Sequence, residues 1–213
     1  MRVIEPELLD HAPPAEAARN LAELRFINRY LGGHRIAIGR LRQLYSPGER
    51  FTFADIGAAS GDVVAAARVR FPHIRAVNFD LQFKHLESGG VCADAFRLPV
   101  ADRTFDVAHC SLFLHHFADD EVVALLAEMR RIAKRAVIVQ DLERNWISER
   151  FIPWTRWLFG WSDIVVHDAP VSVRAAFRAN ELADLAQRAG LGAVKVRRHY
   201  PAFRLSFTAI IEK

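Results

Sequence analysis

A glycine-containing turn between an apolar run and a helical stretch constrains the fold most. Residues 51–56 form a short β-like run, Gly57 and Gly61 follow it, and helical spacing begins at Asp62. The same alternation of short apolar runs and helical stretches continues along the chain. Further strands are predicted at 75–80, 90–93, 105–112 and 136–140, and further helices at 62–71, 119–133 and 179–190. Strands that alternate with helices need crossover connections, so we expect a mostly parallel sheet covered on both faces.

The two ends of the chain depart from this alternation. Residues 15–31 and 34–45 have helical spacing and are separated by Gly32 and Gly33, so residues 1–48 are predicted to form a helical lid. Near the other end, two strands at about 193–198 and 204–212 are separated by a short turn and predict an antiparallel hairpin. The expected fold is therefore a three-layer α/β sandwich whose seven-stranded sheet is mostly parallel and ends in an antiparallel hairpin.

Composition excludes several classes of protein. The chain has 213 residues, 51% of them hydrophobic and 25% charged, which suits one globular domain with additions. No apolar run reaches the ~20 residues of a membrane span. Two cysteines, Cys92 and Cys110, are too few for a disulfide framework or a four-cysteine zinc site, so we expect a reduced, cytoplasmic setting. The net charge of +4 comes from scattered arginines, and we expect no nucleic-acid partner.

Carboxylates that follow successive strands indicate the kind of ligand. Asp80 ends the second strand, at about the spacing from the glycine turn at which an acidic residue reaches a ribose diol. Asp94 follows the third strand, where an adenine amino group could bind. Asp55 immediately precedes the glycine turn, where its charge would repel a pyrophosphate but attract an ammonium or a sulfonium. S-adenosylmethionine fits this pattern better than a dinucleotide, although each carboxylate taken singly could also cap a strand end.

Three segments carry a resemblance to a known family. Residues 53–61 (FADIGAASG), 92–99 (CADAFRLP) and 105–116 (FDVAHCSLFLHH) resemble the class I S-adenosylmethionine-dependent methyltransferases. The likeness is closest to the small-molecule enzymes typified by those of ubiquinone and menaquinone biosynthesis. It implies a Rossmann-like fold over residues 49–213, with S-adenosylmethionine as cofactor and S-adenosylhomocysteine as product. One departure is that Ala59 stands where the family has the central glycine of the loop.

The resemblance also implies which residues bind the cofactor. The methionine end would lie at the glycine turn, the ribose at the second strand, the adenine after the third strand and the pocket wall after the fourth. The residues implied, in that order, are Asp55, Gly57, Ala58, Ala59 and Gly61; Asp80 and Leu81; Asp94 and Ala95; and Ser111 and Leu112.

Histidines are the candidate catalytic residues. A phenolic hydroxyl with a pKa of ~10 needs a base at neutral pH, and histidine suits that task. His115 and His116 follow the fourth strand on the ligand side, with His116 preferred, and His167 lies later in the chain. Each could instead cap a helix or pack locally. No metal is expected, because a metal-dependent enzyme would need clustered oxygen ligands, and Asp141 alone reads as a strand-end carboxylate.

All four tryptophans lie within residues 146–161. Pro153 is predicted to begin a helix on which Trp154, Trp157 and Trp161 share one face. Such a face either packs on the sheet or forms a wall for an apolar or aromatic substrate. We assign these tryptophans to a cap inserted at about residues 143–178.

The predicted activity is methylation of a small apolar or aromatic acceptor, on a phenolic or enolic hydroxyl. Residues 25–33 and 167–177 are similar to methyltransferases that accompany bacterial type III polyketide synthases, which act on phenolic or pyrone hydroxyls bearing long alkyl chains. The alternatives are an RNA methyltransferase and a non-catalytic S-adenosylmethionine-binding module, the latter favoured by Ala59. Residues 111–114 read SLFL, which lacks the tetrapeptide of amino-directed DNA enzymes.

Overall fold

A single seven-stranded sheet organises the molecule, in a computed structural model that describes residues 2–82, 86 and 90–212. The strand order is β3-β2-β1-β4-β5-β7-β6. Strands β1 to β5 are mutually parallel, and β7 runs antiparallel to both β5 and β6. The strands are β1 (Thr52–Ile56), β2 (Arg75–Asp80), β3 (Val91–Cys92), β4 (Phe105–Ser111), β5 (Ala133–Leu142), β6 (Arg197–His199) and β7 (Arg204–Ile210). The predicted fold class is confirmed, including the antiparallel hairpin.

Seven α-helices accompany the sheet within the described part of the chain. They are α1 (Pro14–Tyr30), α2 (Gly33–Leu41), α3 (Asp62–Arg70), α4 (Asp119–Ile132), α5 (Trp146–Phe159), α6 (Asp163–Ala175) and α7 (Ala179–Arg188). One core cluster joins α4 and α7 to one face of the sheet, and a second joins α2 and α3 to the opposite face. Apolar side chains therefore cover the sheet on both faces, as its near-continuous apolar strands require.

The first two helices occupy different layers. In α2, Ile36, Ala37 and Leu41 are buried against the sheet, and the Arg40 guanidinium donates to the Ser206 hydroxyl at 2.7 Å and to its carbonyl at 3.0 Å. α2 is thus part of the sandwich. α1 instead packs beside α6, above the carboxyl ends of the parallel strands. Within the predicted lid of residues 1–48, α1 and the residues before it are the part that covers the sheet edge.

The prediction that Pro153 begins a helix is wrong. α5 begins seven residues earlier, where the Asn145 side chain accepts the Ile147 N–H at 2.8 Å and caps the helix. Pro153 lies inside α5, where its missing N–H leaves one carbonyl of the preceding turn without its usual bond. α5 ends at Phe159 because Gly160 adopts a left-handed φ of 66°.

None of the helices described is both long enough and apolar enough to cross a lipid bilayer.

Candidate functional site

A cavity of about 230 Å³ opens at the carboxyl ends of β1, β4 and β5, where open parallel sheets bind their ligands. The glycine turn after β1 and the segment after β4 form its floor. Its roof consists of α1, α5, α6 and the residues before α1. The floor is formed by Asp55, Gly57, Ala58, Ala59, Ser60, Asp62, Val63, Ser111 and Leu112, among others. The roof includes Glu7, Leu21, Leu24, Arg25, Ile27, Asn28, Leu31, Phe151, Ile152 and Ser172.

The turn after β1 requires glycine at Gly57. Its φ is +65°, and a Cβ added there would lie 2.3 Å from the ring of Phe113. Ala59 also has a left-handed φ, 44°, which explains why the family places glycine at this position. An alanine in that conformation costs about 1–2 kcal/mol. The Ala59 N–H donates to the Asp80 carboxylate at 2.9 Å, which holds the turn in place despite this cost.

Asp55 faces the cavity from the end of β1. It is 2% exposed, and its Oδ1 lies 2.7 Å from Nδ1 of the buried His109 on β4. Burial raises the pKa of Asp55, although His109 acts in the opposite direction. A cationic group brought into the cavity would stabilise the charged form of this carboxylate, so its environment suits an ammonium or sulfonium ligand.

Asp80 and Asp94 hold turns beside the cavity rather than lining it. The Asp80 carboxylate accepts the N–H groups of Ala59 at 2.9 Å and Gln82 at 2.8 Å. The exposed Asp94 accepts the Phe96 N–H at 2.9 Å. Neither these carboxylates nor the adjacent Leu81 and Ala95 are among the residues that line the cavity. A carboxylate oxygen has two lone pairs and can accept a further hydrogen bond, so the contacts of Asp80 to ribose and of Asp94 to adenine stay predictions.

Ser111 and Leu112 line the cavity at the end of β4, as the resemblance implies. The Ser111 hydroxyl accepts from the Gln140 side-chain amide at 2.7 Å. Leu112 has a φ of 52°, an unusual conformation for a branched residue, and its N–H donates to the Gln140 carbonyl at 3.0 Å. Strained backbone of this kind clusters at ligand sites.

His115, which lines the cavity, forms a buried pair with Asp141 behind it. His115 Nδ1 lies 2.6 Å from Asp141 Oδ1, and the carboxylate also accepts the N–H groups of Leu114 at 2.9 Å and Leu142 at 2.7 Å. Burial alone would lower the pKa of His115, but the charge of Asp141, its hydrogen bond and the charge of Glu7 together outweigh burial and raise that pKa. Conversely, His115 overcomes the effect of burial and lowers the pKa of Asp141. The pair has the geometry of a histidine base oriented by a carboxylate.

His116 and Glu7 complete this side of the cavity. His116 Nδ1 is 3.9 Å from Glu7 Oε1, and His115 Nε2 is 4.0 Å from the same oxygen. Burial and the neighbouring His115 lower the pKa of His116. The side chains of Glu7, His115 and His116 lie within 4.8 Å of one another and could hold a cation. Their separations exceed the about 3.3 Å between ligands of a tetrahedral zinc ion, so the group would have to contract to bind one.

Residues 2–9, here called the N-terminal strap, bring Glu7 to the site. The Arg2 guanidinium donates to the carbonyls of His115 at 3.2 Å and Phe117 at 2.9 Å. The Asp168 carboxylate accepts the N–H groups of Leu8 at 2.9 Å and Leu9 at 3.1 Å. The Glu7 carboxylate also accepts a hydrogen bond from the Ser172 hydroxyl on α6.

His167 lies away from the cavity. Its side chain is about half exposed, and its Nδ1 contacts Asp168 at 2.9 Å. The His167–Asp168 pair therefore supports the N-terminal strap, and its position does not favour His167 as a base.

The tryptophans do not form the expected face. Trp154 and Trp157 are 61% and 85% exposed, whereas Trp161 follows the end of α5 and is buried among Ile152 and Val165. None of the three is among the described residues that line the cavity. Phe151 and Ile152, from the opposite side of α5, form the apolar wall instead.

The residues of the cavity fit the methionine end of S-adenosylmethionine. The turn of Gly57, Ala58 and Ala59 brings backbone to the wall of the cavity, and the buried Asp55 carboxyl lines the cavity beside it. The cavity is otherwise mainly apolar on its roof. Sequence reasoning found Asp55, the glycine turn, Ser111, Leu112 and the two adjacent histidines, but it missed Glu7 and the role of Asp141.

Comparisons with known proteins give one family and one fold. Residues 54–139 match a family described as a methyltransferase domain. No curated protein sequence matches the chain significantly.

Solved structures with similar folds share little sequence with the chain. The plantazolicin methyltransferase BpumL in complex with SAH has a TM-score of 0.69 at 12% identity, with 95% of this chain and 92% of that chain covered. A possible histamine N-methyltransferase from Thermotoga maritima has a TM-score of 0.62 at 16% identity, covering 92% and 96%. A putative O-methyltransferase from Nostoc punctiforme has a TM-score of 0.60 at 19% identity, covering 83% of this chain but only 55% of that one.

Proposed function

Because the chain contains a class I, S-adenosylmethionine-dependent methyltransferase domain and is a methyl-transferring enzyme, we propose that it methylates a phenolic or enolic hydroxyl. The acceptor is a small apolar or aromatic molecule. Fold relatives named for plantazolicin and histamine support a small-molecule acceptor, and a putative O-methyltransferase is among them.

The apolar roof supports the choice of acceptor. Leu21, Leu24 and Ile27 from α1 and Phe151 and Ile152 from α5 all line the cavity. Burying apolar surface of a ligand there is favourable by about 25 cal/mol per Å². Exclusion of water by this roof also strengthens every electrostatic contact inside the cavity.

The His115–Asp141 pair is the single observation that carries the choice of a hydroxyl acceptor. S-adenosylmethionine, when bound, supplies the methyl group. A hydroxyl oxygen becomes a good nucleophile only when its proton is removed, and neutral His115 can accept that proton at Nε2. Asp141 holds Nδ1 protonated and stabilises the imidazolium that results. Leu114 and Leu142 fix the carboxylate through their backbone N–H groups.

The test combines ligand binding with transfer of a labelled methyl group. Calorimetry measures S-adenosylhomocysteine binding by the wild type, Gly57→Ala and the matched control Gly48→Ala, because a Cβ at Gly48 meets no atom within 4 Å. We expect the wild type and Gly48→Ala to bind and Gly57→Ala to lose binding while its circular dichroism stays that of the folded wild type, because its Cβ would displace the Phe113 ring and the turn. Tritiated S-adenosylmethionine is then supplied with alkylated phenols, 4-hydroxy-2-pyrones and total RNA, and we expect label on the hydroxyl compounds.

The outcomes separate the alternative functions. Label on RNA alone would identify an RNA methyltransferase. Tight S-adenosylhomocysteine binding without label on any acceptor would favour a non-catalytic binding module. Label on the hydroxyl compounds that persists unchanged in His115→Asn would show that the transfer does not use this base.

A further inference from the structure

Arg204 is the largest of the fully buried side chains that the structure describes, and it lines the cavity. It is the first residue of β7 and pairs with Leu142, the last residue of β5. Because β7 is antiparallel to β5, its beginning lies at the carboxyl ends of the parallel strands, where the cavity opens. The start of β7 therefore places Arg204 in the ligand site.

The Arg204 guanidinium lacks a full set of partners. Its Nη1 is buried, and no hydrogen-bond acceptor for it occurs among residues 2–82, 86 and 90–212. Burial lowers the pKa of Arg204 to about 10, and the negative charges of Asp141 and Asp62 oppose this shift without a direct bond to Nη1. A buried cation with an unpaired donor is strongly unfavourable unless another group completes it.

A second unpartnered atom lies beside it. Asn28 from α1 also lines the cavity. The Asn28 Nδ2 donates to Asp62 Oδ2 at 3.2 Å, so the Asn28 Oδ1 is the acceptor of the amide. This oxygen is buried and has no hydrogen-bond partner in the described part of the chain. A Cβ built on Gly33 would lie 2.6 Å from Asn28 Oδ1 and 3.1 Å from Arg204 Nη1. Asn28 Oδ1 and Arg204 Nη1 therefore lie close to each other, next to the start of α2.

Asp62 ties this point to the glycine turn. It follows Gly61 directly, and His34 Nε2 lies 2.8 Å from its Oδ2. Burial would raise the pKa of Asp62, but hydrogen bonds from His34 and Asn28 outweigh it and lower that pKa, so the carboxylate stays charged. Arg204, Asn28 and Asp62 all line the cavity that also contains the glycine turn, where the methionine end of the cofactor is predicted to bind.

We infer that Arg204 and Asn28 bind the amino-acid end of the cofactor, with Arg204 taking the carboxylate and Asn28 Oδ1 accepting from the ammonium. This inference rests on the proposed function. A free donor beside a free acceptor matches a zwitterion, and arginine binds carboxylates through parallel, charge-assisted hydrogen bonds. The bound ligand would supply the missing hydrogen-bond partners of Arg204 Nη1 and Asn28 Oδ1.

Calorimetry tests the inference with two ligands. S-adenosylhomocysteine and its decarboxylated analogue, which keeps the amine, are titrated into the wild type, Arg204→Met, Arg204→Lys and the surface control Arg198→Met. We expect Arg204→Met to weaken S-adenosylhomocysteine binding about 10- to 100-fold, the usual effect of losing a charged hydrogen bond. The analogue should bind the wild type and Arg204→Met within a factor of about 3, and Arg204→Lys should recover part of the loss.

The analogue serves as its own folding control, since its retained binding shows an intact site. Equal weakening of both ligands in Arg204→Met, or no weakening of either, would overturn the inference. If Arg204→Met does not fold, Arg204→Lys decides, because it must lose affinity for S-adenosylhomocysteine selectively. A wild type that binds neither ligand would instead contradict the proposed function.

Discussion

At the scale of single residues, buried neighbours give the two adjacent histidines of the cavity different pKa values. Asp141 makes His115 more basic than an ordinary histidine, while His116, one residue later, is made less basic by burial and by that same neighbour. Adjacent histidines thus differ in basicity, with the pKa of His115 raised and that of His116 lowered. A histidine that a carboxylate orients is the better base, so the geometry favours His115. The sequence alone favours His116.

The pH dependence of the reaction follows from this pair. In the proposed reaction neutral His115 is the active form, and because its pKa is raised, kcat/KM should rise with pH through a midpoint above 6.5. In Asp141→Asn the opposing effect of burial dominates, so the midpoint should move to lower pH. His115→Asn should lower kcat by about 10²- to 10⁴-fold. Steady-state kinetics from pH 5 to 9 with a hydroxyl acceptor measure these changes.

His167→Asn is the control for that experiment, because His167 is half exposed and lies outside the cavity. Its profile should match that of the wild type. An Asp141→Asn profile with an unmoved midpoint would mean that another group controls the rate.

The site residues that the sequence predicts lie in local patterns next to strands, whereas the residues that it does not predict come from distant parts of the chain. Asp55 and Gly57 follow a strand in an ordered local pattern, so their position could be predicted from that pattern. Asp141 also follows a strand, and its place after residues 136–140 was the available signal for its role. Glu7 and Arg204 come from the two ends of the chain, and no local pattern links them to a site built around residue 57.

At the scale of elements, the N-terminal strap is held by backbone contacts to α6 and to the segment after β4. The Val3 N–H donates to the Arg174 carbonyl at 3.2 Å, and Asp168 accepts two more N–H groups of the strap. Asp168 is only 6% exposed, so these bonds form away from water. The strap is therefore an ordered part of the roof.

Replacing Asp168 should release the strap. In Asp168→Ala the N–H groups of Leu8 and Leu9 lose their acceptor, which should lower the free energy of unfolding by about 1–3 kcal/mol. Hydrogen exchange at these two amides should become faster, and the KM for the acceptor should rise because Glu7 is no longer held at the cavity. Asp163→Ala is the control, since Asp163 is exposed and bonds only Arg156 among the described residues. Unchanged exchange at Leu8 and Leu9 would contradict this role.

The helix after β5 shows where local rules fail. A proline is most often found in the first turn of a helix, but the Asn145 cap begins α5 earlier, and the interior Pro153 is tolerated. The three-and-four spacing of the tryptophans continues through Gly160 in sequence, yet the helix ends there. Periodicity predicted the presence of a helix but not its end, because one left-handed glycine determines the end.

At the scale of the whole molecule, the sheet and its roof differ in how much core they contain. Two large clusters cover the faces of the sheet, whereas the helical cap of α1, α5 and α6 has a small cluster built on Ile152, Trp161 and Val165. Regions with little buried apolar surface open at lower free energy than the main core. The cap should thus unfold before the sheet.

Trp161 provides a reporter of cap unfolding. It is 6% exposed, and its indole N–H donates to the Thr155 hydroxyl at 3.1 Å. With Trp146, Trp154 and Trp157 replaced by phenylalanine, we expect the Trp161 emission to shift at a lower urea concentration than the far-ultraviolet circular dichroism of the sheet and helices. Bound S-adenosylhomocysteine should bring the two transitions closer together. Coincident transitions in its absence would show that cap and sheet unfold as one unit.

The overall topology was predictable because alternating strands and helices permit few arrangements of a parallel sheet. The lengths of single strands were less predictable from the sequence. β5 runs from Ala133 to Leu142 rather than over 136–140, and β6 contains only Arg197–His199 rather than 193–198. Strand length depends on pairing with neighbours distant in sequence, and β5 is extended on one side by its pairing with β7. The packing of the cap over the sheet is decided by such distant contacts as well.

The direction of β7 also separates the site from the far end of the chain. From Arg204 the strand runs away from the cavity, and the Ile211 N–H reaches the Arg135 carbonyl near the opposite rim of the sheet. A fluorescent dye or an immobilising peptide joined after residue 212 would therefore leave the mouth of the cavity unobstructed.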